Sequence, residues 1–211
     1  MVQEKVDSKF SKVFAHRGLW RESSEKNSLP SFKRAIDHGF SIETDIRDGL
    51  NGIVVSHDAF NTRTDIQFRH ITGFENSFAL NLKSDGIGFE LEKHIDWIQR
   101  TSSFVFDGSI PEMLMYRRRG VPLALRLSEY ESELSWLPEY IWLDSFHQDW
   151  WLEDAFVLNK IIETPTIVVS PEIHNRSPYH VWDKIGQLMN SGYENISICT
   201  DKPLEYIQWL K

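Results

Sequence analysis

Apolar residues along this chain fall into two rhythms. Short runs rich in Val, Ile, Leu and Phe recur as KVFAH (12–16), FSIETDI (40–46), SFALNL (77–82), SFVFD (103–107), PLALRL (122–127), YIWLD (140–144), TIVVS (166–170) and NISIC (195–199). Their length and β-branched and aromatic content predict strands. Between several of them apolar positions recur every three or four residues: Leu29, Phe32 and Ile36; Ile87, Leu91, Ile95 and Ile98; Val181, Ile185 and Leu188. That spacing predicts amphipathic helices facing a core. Strands alternating with helices predict a parallel α/β fold, and eight such strands predict a compact (β/α)8 TIM barrel in one domain spanning 1–211. The chain has 211 residues, near the short end for such a barrel, so some helices should be reduced to loops.

One segment breaks the alternation. After FSIETDI comes RDGLNG and then IVVSHD, a link too short for a helical crossover and suited to a β-hairpin inserted after the second strand. A turn centred near Asn51 would put Asp45 and His57 six residues away on either side and bring the two together. The stretch AFNTRTDIQFRHITGFEN (59–76) follows directly and lacks clear periodicity, which makes it a candidate substrate loop.

Charge narrows the function. Lys and Arg number 23 against 31 Asp and Glu, a formal net charge of -8, which disfavours a nucleic-acid reader. The basic run Arg117 to Arg119 is better read as a helix end before Gly120, where positive charge complements the macrodipole. No apolar stretch is long enough for a membrane span and MVQEKVDSKFSK has no signal-like core, so a cytoplasmic location is expected. The single cysteine, Cys199, lies in an apolar context and reads as inert packing.

Polar residues within the strands carry the candidate chemistry. Glu43 and Asp45 are two apart, so both project from one face, and paired carboxylate oxygens suit Mg²⁺ or Ca²⁺ as well as a merely solvated acidic face. Asn81 and Lys83 repeat the spacing on another strand with a neutral oxygen and a cation. Arg126 and Asp144 interrupt apolar strands, where they can contact a substrate or pair within a structural network, since an unpaired buried charge is costly. His16-Arg17-Gly18 ends the first strand: histidine can exchange a proton, arginine can grip phosphate oxygens, and glycine lets backbone approach a ligand. Each histidine has the alternative of a structural, hydrogen-bonded role. Trp20, Trp142 and Trp150 can line a pocket or simply pack. No Walker loop, dinucleotide fingerprint, paired-cysteine zinc motif or G-x-S-x-G elbow is present, which removes the usual support for nucleotide-driven transfer and serine hydrolysis.

Together, His16-Arg17-Gly18, Asn27-Ser28, Glu43-Thr44-Asp45, His57-Asp58 and Arg63-Thr64, with the ending ICTDKP (198–203), resemble the glycerophosphodiester phosphodiesterases, within the wider group of barrels related to phosphatidylinositol-specific phospholipase C. The resemblance is specific over residues 14–64 and weak in the middle of the chain. It implies His16 and His57 as an acid/base pair, Arg17 and Lys83 as phosphate contacts, and Glu43 and Asp45 as ligands of a Mg²⁺ or Ca²⁺ ion; the Asn81 amide oxygen can serve as a third ligand, and Arg126, from its place in an apolar strand, is a further candidate phosphate contact. The implied reaction is cleavage of a small, soluble phosphodiester, with no nucleic-acid partner. Two positions depart from the pattern: Lys26 stands where the family has glutamate, and Asn81 where it has a third acidic ligand, which removes a negative charge from the ion site. A relative that dispenses with metal, taking positive charge from Lys83 or Arg126 and forming a cyclic phosphate, is the alternative enzyme. A phosphate-binding module without turnover is the alternative outside catalysis.

Overall fold

The structure, a computed structural model, describes residues 12–59 and 66–211. Its strands are β1 (Val13–His16), β2 (Ser41–Gly49), β3 (Gly52–Val55), β4 (Phe78–Leu82), β5 (Phe104–Phe106), β6 (Ala124–Leu127), β7 (Tyr140–Leu143), β8 (Thr166–Val169) and β9 (Ile196–Thr200). Helices α1 (Leu29–Asp37), α2 (Gly88–Glu92), α3 (Ile95–Arg100), α4 (Ile110–Arg118), α5 (Ala155–Glu163), α6 (Tyr179–Asn190) and α7 (Pro203–Trp209) lie between or after them.

Eight strands run in the order β5-β4-β2-β1-β9-β8-β7-β6, with every neighbouring pair along that path parallel. The seam between β5 and β6 is a single bridge, Val105 to Leu123, with Val105 N–H donating to Pro122 O at 3.0 Å. Pro122 has no N–H to return. The result is a nearly closed (β/α)8 barrel in which β3 alone runs antiparallel, on β2. No helix links β6 to β7, and turns fill that gap, as the short chain requires.

Period-two alternation divides the core. Phe14, Ala79, Phe104, Phe106, Ala124, Trp142, Ile167, Val169 and Cys199 form one buried cluster, the filling of the barrel. Val13, Ala15, Phe32, Phe78, Leu80, Ile98 and Trp182 belong to a larger one, packed between sheet and helices. This alternation positions the site, because His16, Asn81, Arg126, Asp144 and Asp201 each stand two residues beyond an inward apolar residue. All five therefore face the C-terminal mouth of the barrel, where such folds keep their chemistry.

Local signals set the helices. Ser28 caps α1, its hydroxyl accepting from Ser31 N–H at 3.2 Å while Ser31 Oγ accepts from Ser28 N–H at 3.3 Å, and Pro30 lies in the first turn. Arg117 and Arg118 occupy the last turn of α4, followed by Gly120 at φ +71°, so the basic run is a helix end. The stripe Ile87 to Ile98 is not one helix. It breaks between α2 and α3 at Lys93 and His94.

Candidate active site

The end of β1 turns sharply, and the turn assembles the site. Arg17 has φ +58°, unusual for a residue with a side chain, and its N–H donates to Glu43 O at 2.9 Å and to Glu43 Oε2 at 3.2 Å. Gly18 follows at φ +86°, and a Cβ there would meet Ser31 Oγ at 2.4 Å. The glycine thus admits the start of α1. This differs from the expectation that its bare backbone meets a ligand.

His16 is held from two sides. Its Nδ1 lies 2.6 Å from Asp201 Oδ1 and its Nε2 3.8 Å from Glu43 Oε2. Burial works to raise the Asp201 pKa, but the His16 hydrogen bond and charge, with help from Lys26, outweigh it and hold the carboxyl below its usual range. Lys26 Nζ sits 3.3 Å from Asp201 Oδ2 and 4.4 Å above the Trp20 ring. Trp20 in turn donates from Nε1 to His16 O at 3.1 Å. Burial of Glu43 pushes its pKa up to about 7, with His16 lowering it and Asp45 raising it further.

Asp45 is fully buried and shared by two cations: Arg17 Nε is 2.8 Å from Oδ2 and Lys83 Nζ is 3.3 Å from Oδ1. Asn27, at φ +56°, locks it in place. Asn27 Nδ2 donates to Asp45 Oδ2 at 2.7 Å, and its Oδ1 accepts from Thr44 Oγ1 at 2.8 Å. Asn27 and Asp201 are the positioning residues that the sequence reading left without roles. Asp201 carried a signal, since it falls two beyond the inward Cys199 on the period of β9.

His57 departs from expectation. Gly49 pairs with Gly52 around a two-residue turn at Leu50 and Asn51, and Ser56 N–H donates to Asp45 O at 3.0 Å. The register therefore brings Ser56 to Asp45 and leaves His57 one residue beyond, because a turn centred half a residue earlier shifts every pair by one. His57 is 46% exposed and pairs with Asp58 at 2.7 Å. The Asp58 carboxyl is held low first by the hydrogen bond and charge of His57, and less by Arg17 and Arg47. Arg63 and Thr64 lie outside the described residues. Beyond them Phe68 and Ile71 are buried in the outer core, so the second part of the candidate loop is packed.

Arg126 does not join Arg17 and Lys83 on Asp45. Its guanidinium forms a close ion pair with Asp107 and approaches Glu131 at 3.7 Å. Asp144 pairs with His174, Oδ1 to Nε2 at 2.7 Å, and Trp150 Nε1 donates to Asp144 O at 2.9 Å. Both acidic groups nonetheless share the mouth with the first set. Cys199, beneath the rim, has its thiol pKa raised by burial and then by Glu43, Asp201, Glu172 and Asp144 together.

Among the described residues no group of three or more His, Cys, Asp and Glu side chains is arranged to hold a metal ion. The expected donors, two carboxylates and an amide, still fit a hard cation on one observation. Among the described residues Asn81 Oδ1 is a buried acceptor with no hydrogen-bond donor, and it is paired in register across β2 and β4 with Asp45, whose Oδ1 has the Lys83 ammonium at 3.3 Å. All-oxygen donors suit Mg²⁺ or Ca²⁺.

No protein-family model matches this chain, and no curated protein matches it in sequence. Solved structures do match. The crystal structure of glycerophosphodiester phosphodiesterase from Agrobacterium tumefaciens str. C58 superposes with a TM-score of 0.66 and 13% identity, covering 94% of this chain and 98% of that one. A glycerophosphoryl diester phosphodiesterase from Parabacteroides distasonis ATCC 8503 gives 0.64 and 13%, covering 97% and 87%. The chain thus has the barrel fold of the glycerophosphodiester phosphodiesterases along nearly its whole described length.

Proposed function

We propose that this protein is a phosphodiesterase that cleaves a glycerophosphodiester-type substrate to an alcohol and a phosphomonoester. The observation that carries the reading is the arrangement around His16: an imidazole fixed by Asp201, beside two cations anchored on one buried carboxylate, at the C-terminal mouth of a barrel shared with two such enzymes. Arg17 and Lys83 would bind the phosphoryl oxygens and stabilise the charge that grows on them in the transition state. His16 and His57 would divide proton transfer, one taking the proton of the nucleophile and one giving a proton to the leaving alkoxide. The resemblance supports His57 in that role, at the end of the hairpin that follows β2.

Glu43, Asp45 and Asn81 would hold the divalent cation, which when bound supplies further positive charge beside the phosphoryl group. A metal-free reading has its own observation, because Lys83 Nζ already stands 3.3 Å from Asp45 Oδ1 and can supply that charge itself. Among the described residues no helix is long and apolar enough to cross a membrane. The lone thiol is buried, and we place the reaction in the cytoplasm on a dissolved diester.

The test is hydrolysis of glycerophosphodiesters with added Mg²⁺, added Ca²⁺ or EDTA, beside His16→Ala and His57→Ala. Turnover that needs a cation and falls at least about a hundredfold in both variants supports the full reading. Turnover in EDTA selects the metal-free version, and near-wild-type His57→Ala removes His57. Ligand binding without turnover under every condition replaces the enzyme with a phosphate-binding module.

A further inference from the structure

The hydrogen bond from Asp201 fixes the His16 ring, but Asp201 must itself be held. It sits on the two-residue link between β9 and α7, and its short side chain goes where its main chain is placed. Lys26 reaches Oδ2 at 3.3 Å on a flexible stem. The firmer hold comes from the neighbouring strand, through the 3-10 turn Pro171–His174 that follows β8.

Glu172 makes that contact. Its Oε1 accepts from Asp201 N–H at 3.0 Å and from Thr200 Oγ1 at 2.5 Å. Its Oε2 accepts a close hydrogen bond from Ser170 Oγ, which in turn accepts from Trp182 Nε1–H at 2.8 Å. Thr200 Oγ1 accepts from Lys202 N–H at 2.9 Å, which leaves its own proton to point at Glu172. All three protons run into one carboxylate. An amide in its place could not receive them all, because one of its two arms donates. Ser170, Thr200 and Trp182 are fully buried, where a low dielectric strengthens such a network.

The turn that carries Glu172 is anchored at its far end. Asn175 closes it at φ +60°, with N–H donating to Glu172 O at 3.0 Å. Arg176 then donates from Nη1 to Asp149 Oδ1 at 2.6 Å and from Nη2 to Ser145 O at 2.7 Å. The strands β8, β9 and β1 are neighbours in the sheet. A braced turn after β8 thus grips the end of β9, and Asp201 on that end grips His16 at the end of β1.

We propose that Glu172 is a positioning residue for His16: by holding Thr200 and the Asp201 main chain, it aims the Asp201 carboxylate at Nδ1 and keeps Nε2 turned toward Glu43 and the phosphoryl cations. The consequence for turnover rests on the phosphodiesterase reading; the contacts themselves do not. Opposite a carboxylate held low in pKa, Nδ1 carries the proton of the neutral ring. Loosening Asp201 lets the ring drift to the Nε2–H form and out of line, and a misplacement of about 1 Å costs about a hundredfold in rate.

The experiment reads ring and rate separately, on the wild type, Glu172→Gln and Glu172→Asp, each with a melting curve. The ¹⁵N shifts of the histidine rings, recorded above the pH at which each ring titrates, report which nitrogen carries the proton. His16 and His174 are identified by their loss in His16→Ala and His174→Ala. His16 should be Nδ1–H in the wild type and a mixture in Glu172→Gln, while His174, paired with Asp144 from the same turn, keeps its shifts. Glu172→Asp keeps the charge, withdraws it from Asp201 by one methylene, and should show the same change; it decides the matter if the glutamine variant does not fold. On a glycerophosphodiester with added Mg²⁺, Glu172→Gln should lower kcat about tenfold and change KM less than about twofold. Unchanged His16 shifts in a folded variant overturn the proposal. So does a change in His16 and His174 together, because Glu172 then only folds the turn, and so does an altered His16 with kcat unmoved. A wild type inactive on glycerophosphodiesters overturns the phosphodiesterase reading, and the ring shifts still decide whether Glu172 positions His16.

Discussion

The two sides of the barrel mouth hold similar residues in different bookkeeping. On the β1, β2 and β4 side, Arg17 and Lys83 share Asp45, burial pushes the Glu43 pKa up to about 7, and Asn81 Oδ1 has no hydrogen-bond donor among the described residues. On the β6 and β7 side, Arg126 has Asp107, and His174 has Asp144. Two cations on one carboxylate, beside the donorless Asn81 oxygen, leave the first side open to charged groups from outside. On the second side each cation is already held, Arg126 by Asp107 and Glu131 and His174 by Asp144. A buried polar atom without a partner costs free energy, and among the described residues each side holds one, Asn81 Oδ1 on the first and Ser145 Oγ on the second.

The comparison breaks first at His16. His16→Ala should lower kcat at least about a hundredfold if the first side does the proton chemistry, measured as turnover of a glycerophosphodiester; an unchanged rate would move the chemistry elsewhere. Arg17→Ala should raise KM or lower kcat by about 10- to 100-fold, the scale of a hydrogen bond to a charged group, while the melting temperature changes little, because Lys83 and Asn27 still hold Asp45.

The second side should answer in the opposite currency. Arg126→Met should lower stability by about 1–3 kcal/mol in urea titration, because Asp107, whose pKa burial already raises against the lowering effect of Arg126, loses its counter-charge. A stability loss larger in Arg17→Ala than in Arg126→Met would reverse the distinction between the two sides. The smallest effect sharpens the metal question. Asn81→Asp restores a third carboxylate and should tighten Mg²⁺ or Ca²⁺ binding about tenfold, near 1.4 kcal/mol, by calorimetry; no binding by either protein would favour Lys83 as the charge at that place.

Much of this was legible before any coordinates. Each of the eight parallel strands overlaps a run read from apolar content alone, and the hairpin after β2 followed from a link too short for a helix. Local physics set both. What failed were statements needing half a residue of accuracy or a partner from far away. His57 missed Asp45 because the turn covers Leu50 and Asn51, and register flips with one residue. The helix from Ile87 to Ile98 was read as continuous because its apolar spacing continues across the break at Lys93 and His94. Asp201, 185 positions from His16, could not announce its contact by spacing.

The sequence by itself determined which residues point into the barrel, because strand alternation is a local, steric rule and carries His16, Asn81, Arg126, Asp144 and Asp201 inward with their apolar predecessors. Only the tertiary structure decided who pairs with whom. Arg17 and Lys83 meet on Asp45, Arg126 on Asp107 and His174 on Asp144 because barrel closure fixes the order of strands around the mouth, and electrostatic pairing depends on distances in space that no spacing along the chain encodes.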